Sequence, residues 1–343
     1  MRQRVLIVDD SPFIRRMIGD WLSGEPDIEV VGTCKDGDEA VEQNRKLKPD
    51  VITLDVEMPK RDGISALREI MDTAPTAVLM VSSVTLEGAK LTLTALEIGA
   101  FDFVTKPQGG SSLKFVEAKQ ELLEKVRAAK HARLMVMRGP VAKVSDISRS
   151  TDKVALIASS TGGPKALVAL WRALPKRFPA PILMVQHMPE GFTASLAHRL
   201  DEIGTVPCKE ATARDKVTPG LALLAPGGKH MLVRDDGSIE LNTEPAVHGV
   251  RPAADLMFAS AAQVYGKRIV GTILTGMGID GAEGSVAIRK AGGVMLGESE
   301  ETAAIYGMPK AAMAAGGIDA EFPLHEMACA IVSKLAGRAK SVA

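Results

Sequence analysis

Short apolar runs separated by mixed, helix-forming stretches set the rhythm of the first third of the chain. From Arg4 to about Arg127 the runs are RVLIVDD, IEVVGTC, DVITLDV, AVLMVSS and DFVTKP. Five strands with intervening or trailing helices predict a doubly wound parallel sheet, in which ligands gather at the carboxyl ends of the strands. Between Ser112 and Arg138 the sequence is helix-forming throughout, with apolar residues at helical spacing. GPVAKVSDISRSTD then loses periodicity and gains Gly, Pro and Ser, the mark of a linker. A second α/β unit begins at Lys153. KVALIAS, APILMVQH, RIVGTILT and GGVMLGE predict strands, and helices are expected to open near Pro164, Glu190, Arg251, Gly281 and Thr302. In its middle, LALLAPGGKHMLVRDDGSIELN alternates and turns at DDG, a hairpin signal. The expected fold class is therefore α/β, with two doubly wound parallel-sheet domains, the second carrying a β-hairpin. The expected boundaries are 1–122, a helical extension and linker over 123–150, and 151–343.

Composition narrows the classes. A chain of 343 residues suggests about two domains, and 46% hydrophobic with 24% charged residues fits an ordinary globular protein. The 42 basic side chains balance the 42 acidic ones, which gives no reason to expect nucleic acid or an acidic membrane surface as the main partner. Cys34, Cys208 and Cys329 stand far apart with no Cys-x-x-Cys pair, favouring a reducing compartment. Asp9 and Asp10 end the first apolar run far short of a secretion signal, and no stretch is long enough to span a bilayer. A cytoplasmic protein without membrane insertion is expected.

Polar groups close the strands of the first unit. Asp9 and Asp10 end the first, Asp55 the third, Ser82 and Ser83 the fourth, and Lys106 follows the fifth in a Lys-Pro pair. Parallel strands bring these to one edge, where crowded carboxylates repel unless a divalent cation neutralises them, and Mg²⁺ suits a sparse oxygen site. Asp55 could then attack a phosphoryl donor, with Lys106 spreading the charge and a serine bonding the new phosphoryl oxygen. With these motifs, residues 4 to about 122 resemble a response-regulator receiver domain, a flavodoxin-like fold. The resemblance implies Asp55 as the phospho-acceptor, and Mg²⁺ held by Asp9, Asp10, Asp55 and the backbone carbonyl of Glu57. It also implies a switch formed by Ser82, Phe103 and Lys106.

Strand ends of the second unit carry a hydroxyl, an imidazole and a carboxylate. Ser159 and Ser160 end the first strand, His187 follows another in VQHMPEGF, and Asp280 lies in LTGMGIDGA. A hydroxyl needs a base to take its proton, and the base works best when a buried carboxylate holds its tautomer. The loops STGG and TGMGIDG would let backbone N–H groups approach an oxyanion. Among the other histidines, His131 and His198 sit on polar helical faces, and His230 and His248 lie in loop or hairpin context. The order Ser, His, Asp and the absence of a Gly-x-Ser-x-Gly elbow argue against a lipase-like fold.

SSTGGP, VQHMPEGFT, LLAPGGKHM and LTGMGIDGA, in that order over residues 151 to 340, are similar to the catalytic domain of the chemotaxis-specific protein-glutamate methylesterase and glutaminase family. The resemblance implies Ser160 as nucleophile, His187 as general base and Asp280 as its orienting partner, with Thr161 and Met277 lining the oxyanion region and no cofactor in this domain. It implies demethylation and deamidation of methyl-accepting chemotaxis receptors, and a histidine kinase as phosphodonor whose action at Asp55 raises activity. Two departures stand out. Ala158-Ser159 precedes the nucleophile where Gly-Ala is usual, which leaves Ser159 as an understudy hydroxyl, and RPAAD replaces the frequent Arg-Pro-Ser-x-Asp. The alternative reading is a phosphorylation-controlled receptor-docking module without catalysis. A DNA-binding output is weaker, since no short helix-turn-helix tail with a basic recognition helix is found.

Overall fold

The computed structural model describes residues 2–107, 112–130, 151–204 and 206–337, with side chains from 115 onward in the second of these segments. Most of the expected linker and His131 therefore lie outside the described residues. The chain divides into two compact units between Leu134 and Met135.

The first unit runs β1 (Gln3–Val8), α1 (Pro12–Ser23), β2 (Ile28–Cys34), α2 (Gly37–Leu47), β3 (Val51–Asp55), α3 (Gly63–Thr73), β4 (Ala77–Ser82), α4 (Leu86–Ile98), β5 (Asp102–Thr105) and α5 (Ser112–Ala129). The strands pair in parallel in the order β2-β1-β3-β4-β5, a doubly wound sheet. The helices begin where the sequence supplies caps. The side chains of Ser11, Asp36, Asp62 and Thr85 each accept a backbone N–H from the first turn that follows. Helix α5 belongs to this unit along its length. Leu122, Leu123, Val126 and Ala129 are buried, Gln3 Nε2 donates to the Val126 carbonyl at 2.7 Å, and Arg127 pairs with Glu25 and Asp27.

The second unit opens with β6 (Val154–Ser159), α6 (Gly163–Ala173), β7 (Ile182–Gln186) and α7 (Phe192–Ile203), followed by β8 (Cys208–Glu210), β9 (Ala222–Leu224), and the antiparallel pair β10 (His230–Val233) and β11 (Ile239–Asn242). It continues through α8 (Ala254–Tyr265), β12 (Ile269–Ile273), α9 (Ala282–Lys290), β13 (Val294–Glu298), α10 (Met308–Ala314), β14 (Ala320–Phe322) and α11 (Leu324–Leu335). Seven strands form one parallel sheet in the order β14-β13-β12-β6-β7-β9-β8. The expected hairpin is present as β10–β11. Its LALL segment instead supplies β9, which pairs in parallel with β7.

Helices open close to four of the five expected places; at Thr302 none does. Residues 302–306 hold a turn, because the Thr302 hydroxyl bonds Glu298 and the Ile305 N–H and C=O bond the 275–276 segment, so the helix starts only at Met308. Phe192, Phe258 and Trp171 are the largest side chains fully withdrawn from water. Each such burial contributes roughly 2–3 kcal/mol. No described helix is long and apolar enough to cross a membrane.

Candidate active site

The order β12-β6-β7 places the strands carrying the three candidate groups side by side, so their carboxyl ends form one edge. Strand β6 is buried throughout, and the chain turns into α6 through Ser160, Thr161 and Gly162. Gly162 is the N-cap, with a left-handed φ of 76°, and a Cβ there would stand 2.6 Å from that of Ala304. At Gly163 a Cβ would stand 2.0 Å from Gln186 Oε1. Both glycines are therefore required by close approach and backbone conformation, and Pro164 fits the first helical turn as expected.

Gln186, fully buried at the end of β7, ties this turn together. Its Oε1 accepts the Ser159 hydroxyl at 2.7 Å, while its Nε2 donates to the carbonyls of Ser160 at 2.9 Å and His187 at 3.1 Å. The two adjacent serines thus differ in kind. Ser159 is wholly buried with its proton committed to Gln186, whereas Ser160 is only partly covered. The His187 N–H donates to the Ser159 carbonyl at 3.1 Å, which fixes the two strand ends against one another.

His187 Nε2 lies 2.7 Å from Asp280 Oδ2. The same carboxylate receives the Ala254 N–H at 2.6 Å, the Asp255 N–H at 3.0 Å and the Gly281 N–H at 3.0 Å. Two of these come from the start of α8, so the carboxylate fills orphan donors at a helix N-terminus. Burial acts to raise the Asp280 carboxyl, but the hydrogen bond and charge of His187 and these backbone N–H groups outweigh it and hold the group below its ordinary value. An ionised carboxylate takes a proton-bearing nitrogen as partner, so Nε2 carries the hydrogen and Nδ1 keeps the lone pair. That is the reverse of the chymotrypsin-type triad, where Nδ1 faces the acid. Among the described residues Ser160 Oγ makes no hydrogen bond to the His187 ring.

Thr161 is buried, and Met277 is partly covered within the turn after β12. A Cβ on Gly276 would lie 2.9 Å from that of Ser160, so the turn leading into Met277 lies directly against the nucleophile candidate.

Four further polar groups were not singled out in the sequence: Gln186, Thr275, Glu298 and Asp255. The first three shared a signal with the residues that were, namely a polar side chain closing an apolar strand run. His248, set aside as a loop residue, pairs through Nε2 with Asp255 Oδ2 at 3.1 Å. Burial and the neighbouring Asp280 charge push the Asp255 carboxyl up, against its bond from the Gly284 N–H. His230 is structural: its Nδ1 accepts the Ala253 N–H, leaving Nε2 to donate to the Pro245 carbonyl.

The first unit gathers its own set. Lys106 Nζ lies 2.7 Å from Asp55 Oδ2 and 2.9 Å from Asp9 Oδ2. Asp9, Asp10 and Asp55 each offer an oxygen within 4.8 Å of the others. Asp9 Oδ2 is buried and, although Lys106 is close, no aligned hydrogen bond reaches it. A set of hard oxygen donors with one unsatisfied buried atom fits Mg²⁺. Burial pushes the Asp55 carboxyl up to about 6, with the Lys106 bond opposing and the Asp9 charge reinforcing the rise. Glu57 lies beside this set, its N–H 3.4 Å from Asp55 Oδ1. Ser82 is turned away: its hydroxyl accepts from Thr92 at 2.8 Å and reaches the Gly88 carbonyl in α4. Phe103 is buried, with the Lys125 ammonium 5.2 Å from its ring centre.

The fold and these groups define a chain of two α/β units, one with carboxylates and a lysine gathered at its strand ends, the other with a serine, a histidine and an aspartate at the ends of adjacent strands. Residues 5–116 match the family model of the response regulator receiver domain, and residues 155–331 match that of the CheB methylesterase. A protein-glutamate methylesterase/protein-glutamine glutaminase of Symbiobacterium thermophilum is 46% identical over 346 residues, covering 96% of each chain. One of Archaeoglobus fulgidus is 47% identical over 341 residues, covering 96% of this chain and 97% of the relative. The crystal structure of the Thermotoga maritima CheB methylesterase catalytic domain superposes with a TM-score of 0.52 at 39% identity, covering 53% of this chain and 98% of that one. The chain belongs to the CheB methylesterase family, with a receiver domain in front of the catalytic domain.

Proposed function

We propose that this chain is a phosphorylation-activated hydrolase that removes methyl groups from glutamyl methyl esters and deamidates glutamines on chemotaxis-type receptors, with Ser160, His187 and Asp280 as its catalytic residues. The observation that carries this reading is the 2.7 Å pair of His187 with a buried, helix-capping Asp280, one strand away from the partly covered Ser160.

The geometry supports a sequence of proton movements. Ser160 Oγ attacks the γ-carbonyl carbon while its proton passes to His187 Nδ1. The imidazolium that forms is stabilised through Nε2–H by Asp280, which stays ionised because three backbone N–H groups already bond it. The Nδ1 proton then goes to the leaving methoxide, or to the leaving amine of a glutamine, and methanol or ammonia departs. Water, deprotonated by the same nitrogen, then attacks the acyl carbon, and the imidazolium gives that proton to the departing Ser160 oxygen, releasing the glutamate. Thr161 and Met277 border the place where the oxyanion develops, where fixed donors contribute most.

In the receiver, Asp9, Asp10, Asp55 and the Glu57 carbonyl would hold Mg²⁺, which would neutralise charge on an incoming phosphoryl group. Asp55 accepts that group, Lys106, already beside Asp55, bonds it, and Ser82 swings from its α4 partners to meet it. A histidine kinase is the expected donor, and methylated receptors are the substrate.

The test incubates the full chain with radiomethyl-labelled receptor membranes, with and without acetyl phosphate and Mg²⁺. Volatile methanol is expected, rising with the phosphodonor and staying basal in Asp55→Asn. Methanol release no greater than that of Ser160→Ala would remove the enzymatic reading and leave a docking module.

A further inference from the structure

The chemistry above makes no use of a carboxyl that lies behind it. Glu298, the last residue of β13, is fully buried. Its Oε2 accepts the Thr275 N–H at 2.8 Å, and its Oε1 accepts the Thr302 hydroxyl at 2.9 Å. Thr302 Oγ1 in turn accepts the Leu324 N–H at 2.8 Å, which anchors the group to the start of α11.

Thr275 is where the two halves of the site meet. Its carbonyl accepts the Ser160 N–H at 3.0 Å. Its hydroxyl donates to the Thr161 carbonyl at 2.9 Å and accepts the Ile305 N–H at 3.0 Å. The residue after it, Gly276, packs on the Ser160 side chain and leads into Met277. Two residues of the nucleophile turn, Ser160 and Thr161, therefore hang from Thr275, and Thr275 hangs from Glu298.

A buried carboxyl is a poor choice for stability, since an apolar side chain of equal size would fill the same space without desolvation cost. Burial pushes Glu298 up to about 7 against the opposing bonds from Thr275 and Thr302. What the carboxyl supplies, and an apolar residue cannot, is an acceptor for one particular backbone N–H. We propose that Glu298 is a positioning residue, which by holding Thr275 sets the placement of Ser160 and of the oxyanion-binding turn for acyl transfer.

This inference rests on Ser160 being the nucleophile, and the experiment separates the two. Full-length Glu298→Gln, Glu298→Met and Ser160→Ala are compared with the parent chain. The readouts are kcat and KM for methanol release, and the rate of labelling by a fluorophosphonate, which reports serine reactivity without receptor. Gln keeps an acceptor of the same reach, and kcat within about threefold of the parent is expected. Met matches the volume but leaves the Thr275 N–H unpaired. It should lower kcat about 10- to 100-fold with KM within about twofold, and slow labelling by the same factor, as a misplacement near 1 Å does. A merely structural role would cost folded protein or affect Gln and Met alike. Parent-like kcat in Glu298→Met, or equal damage in Glu298→Gln, overturns the proposal while leaving Ser160 in place. If Glu298→Met does not fold, Glu298→Asp, one methylene too short, is expected to show the same loss, and parent-like turnover in it overturns the proposal. Undiminished labelling of Ser160→Ala overturns the nucleophile assignment and this inference with it.

Discussion

Replacing Glu298 by Gln should change how stability responds to pH, and the size of the change follows from burial. The carboxyl rises from an ordinary 4.5 to about 7, with no exposed surface to screen it. An acid whose folded value is raised binds more protons in the native state than in the unfolded one between those two values, so stability falls as pH rises through the interval. Its contribution is fully present below about pH 4.5 and is lost as pH passes about 7. At roughly 1.4 kcal/mol for each pH unit of displacement, the parent should lose about 3 kcal/mol from this group between pH 5 and 9. Gln does not titrate, so the stability of Glu298→Gln minus that of the parent should climb by about 3 kcal/mol over that range. One amide hydrogen of Gln has no obvious acceptor and costs on the order of 1 kcal/mol at every pH, which cancels in the comparison. The assay is urea unfolding followed by fluorescence of the fully buried Trp171, in a Trp21→Phe background so that only the second unit is read. A difference that stays flat from pH 5 to 9 would refute the reasoning, because it would mean that Glu298 is not held in a dry site.

Other consequences concern the triad and its scaffold. Ser159→Ala should keep methanol release within about threefold and cost about 1–2 kcal/mol of stability, because it strips a donor from buried Gln186; turnover as low as in Ser160→Ala would reverse the assignment of the two serines. Asp280→Asn should lower kcat about 10³- to 10⁴-fold, since the amide no longer fixes the proton on Nε2; near-normal turnover would remove the acid from the mechanism. Gly163→Ala should cut turnover and destabilise the second unit by about 1–3 kcal/mol, as its methyl group displaces Gln186 from the Ser160 carbonyl; a circular dichroism melt and the methanol assay would check both.

How much of this was legible in the sequence depended on how far each feature reached along the chain. Strands of four or more residues ending in chemistry, such as those closing on Asp55, Ser160 and His187, show as apolar runs stopped by polar groups. The three-residue strands β8, β9 and β14 are too short to carry any period, and β9 was absorbed into a neighbouring hairpin pattern. The turn at Thr302 reads as a helix start by composition, and only the pull of Glu298 and Thr275 on residues 302–305 explains why it is not one. His248 shows the same blindness from another side, since its partner Asp255 lies in the first turn of a helix whose placement the sequence does not give. In the sequence, the resemblance favours Ser160 and leaves Ser159 as an understudy. The hydroxyls differ in their bonds: that of Ser159 is locked to Gln186 Oε1, whereas Gln186 reaches Ser160 only at its carbonyl.

The central claim is that Ser160 is made nucleophilic by the Nδ1 face of His187. The most direct measurement treats the full chain with a fluorophosphonate and maps the phosphonyl group by peptide mass spectrometry. The adduct is expected on Ser160 alone, and His187→Gln should suppress it at least about a hundredfold, given the usual contribution of a positioned base. An adduct on Ser159 or another residue, or labelling of Ser160 that proceeds unchanged in His187→Gln, would contradict the account.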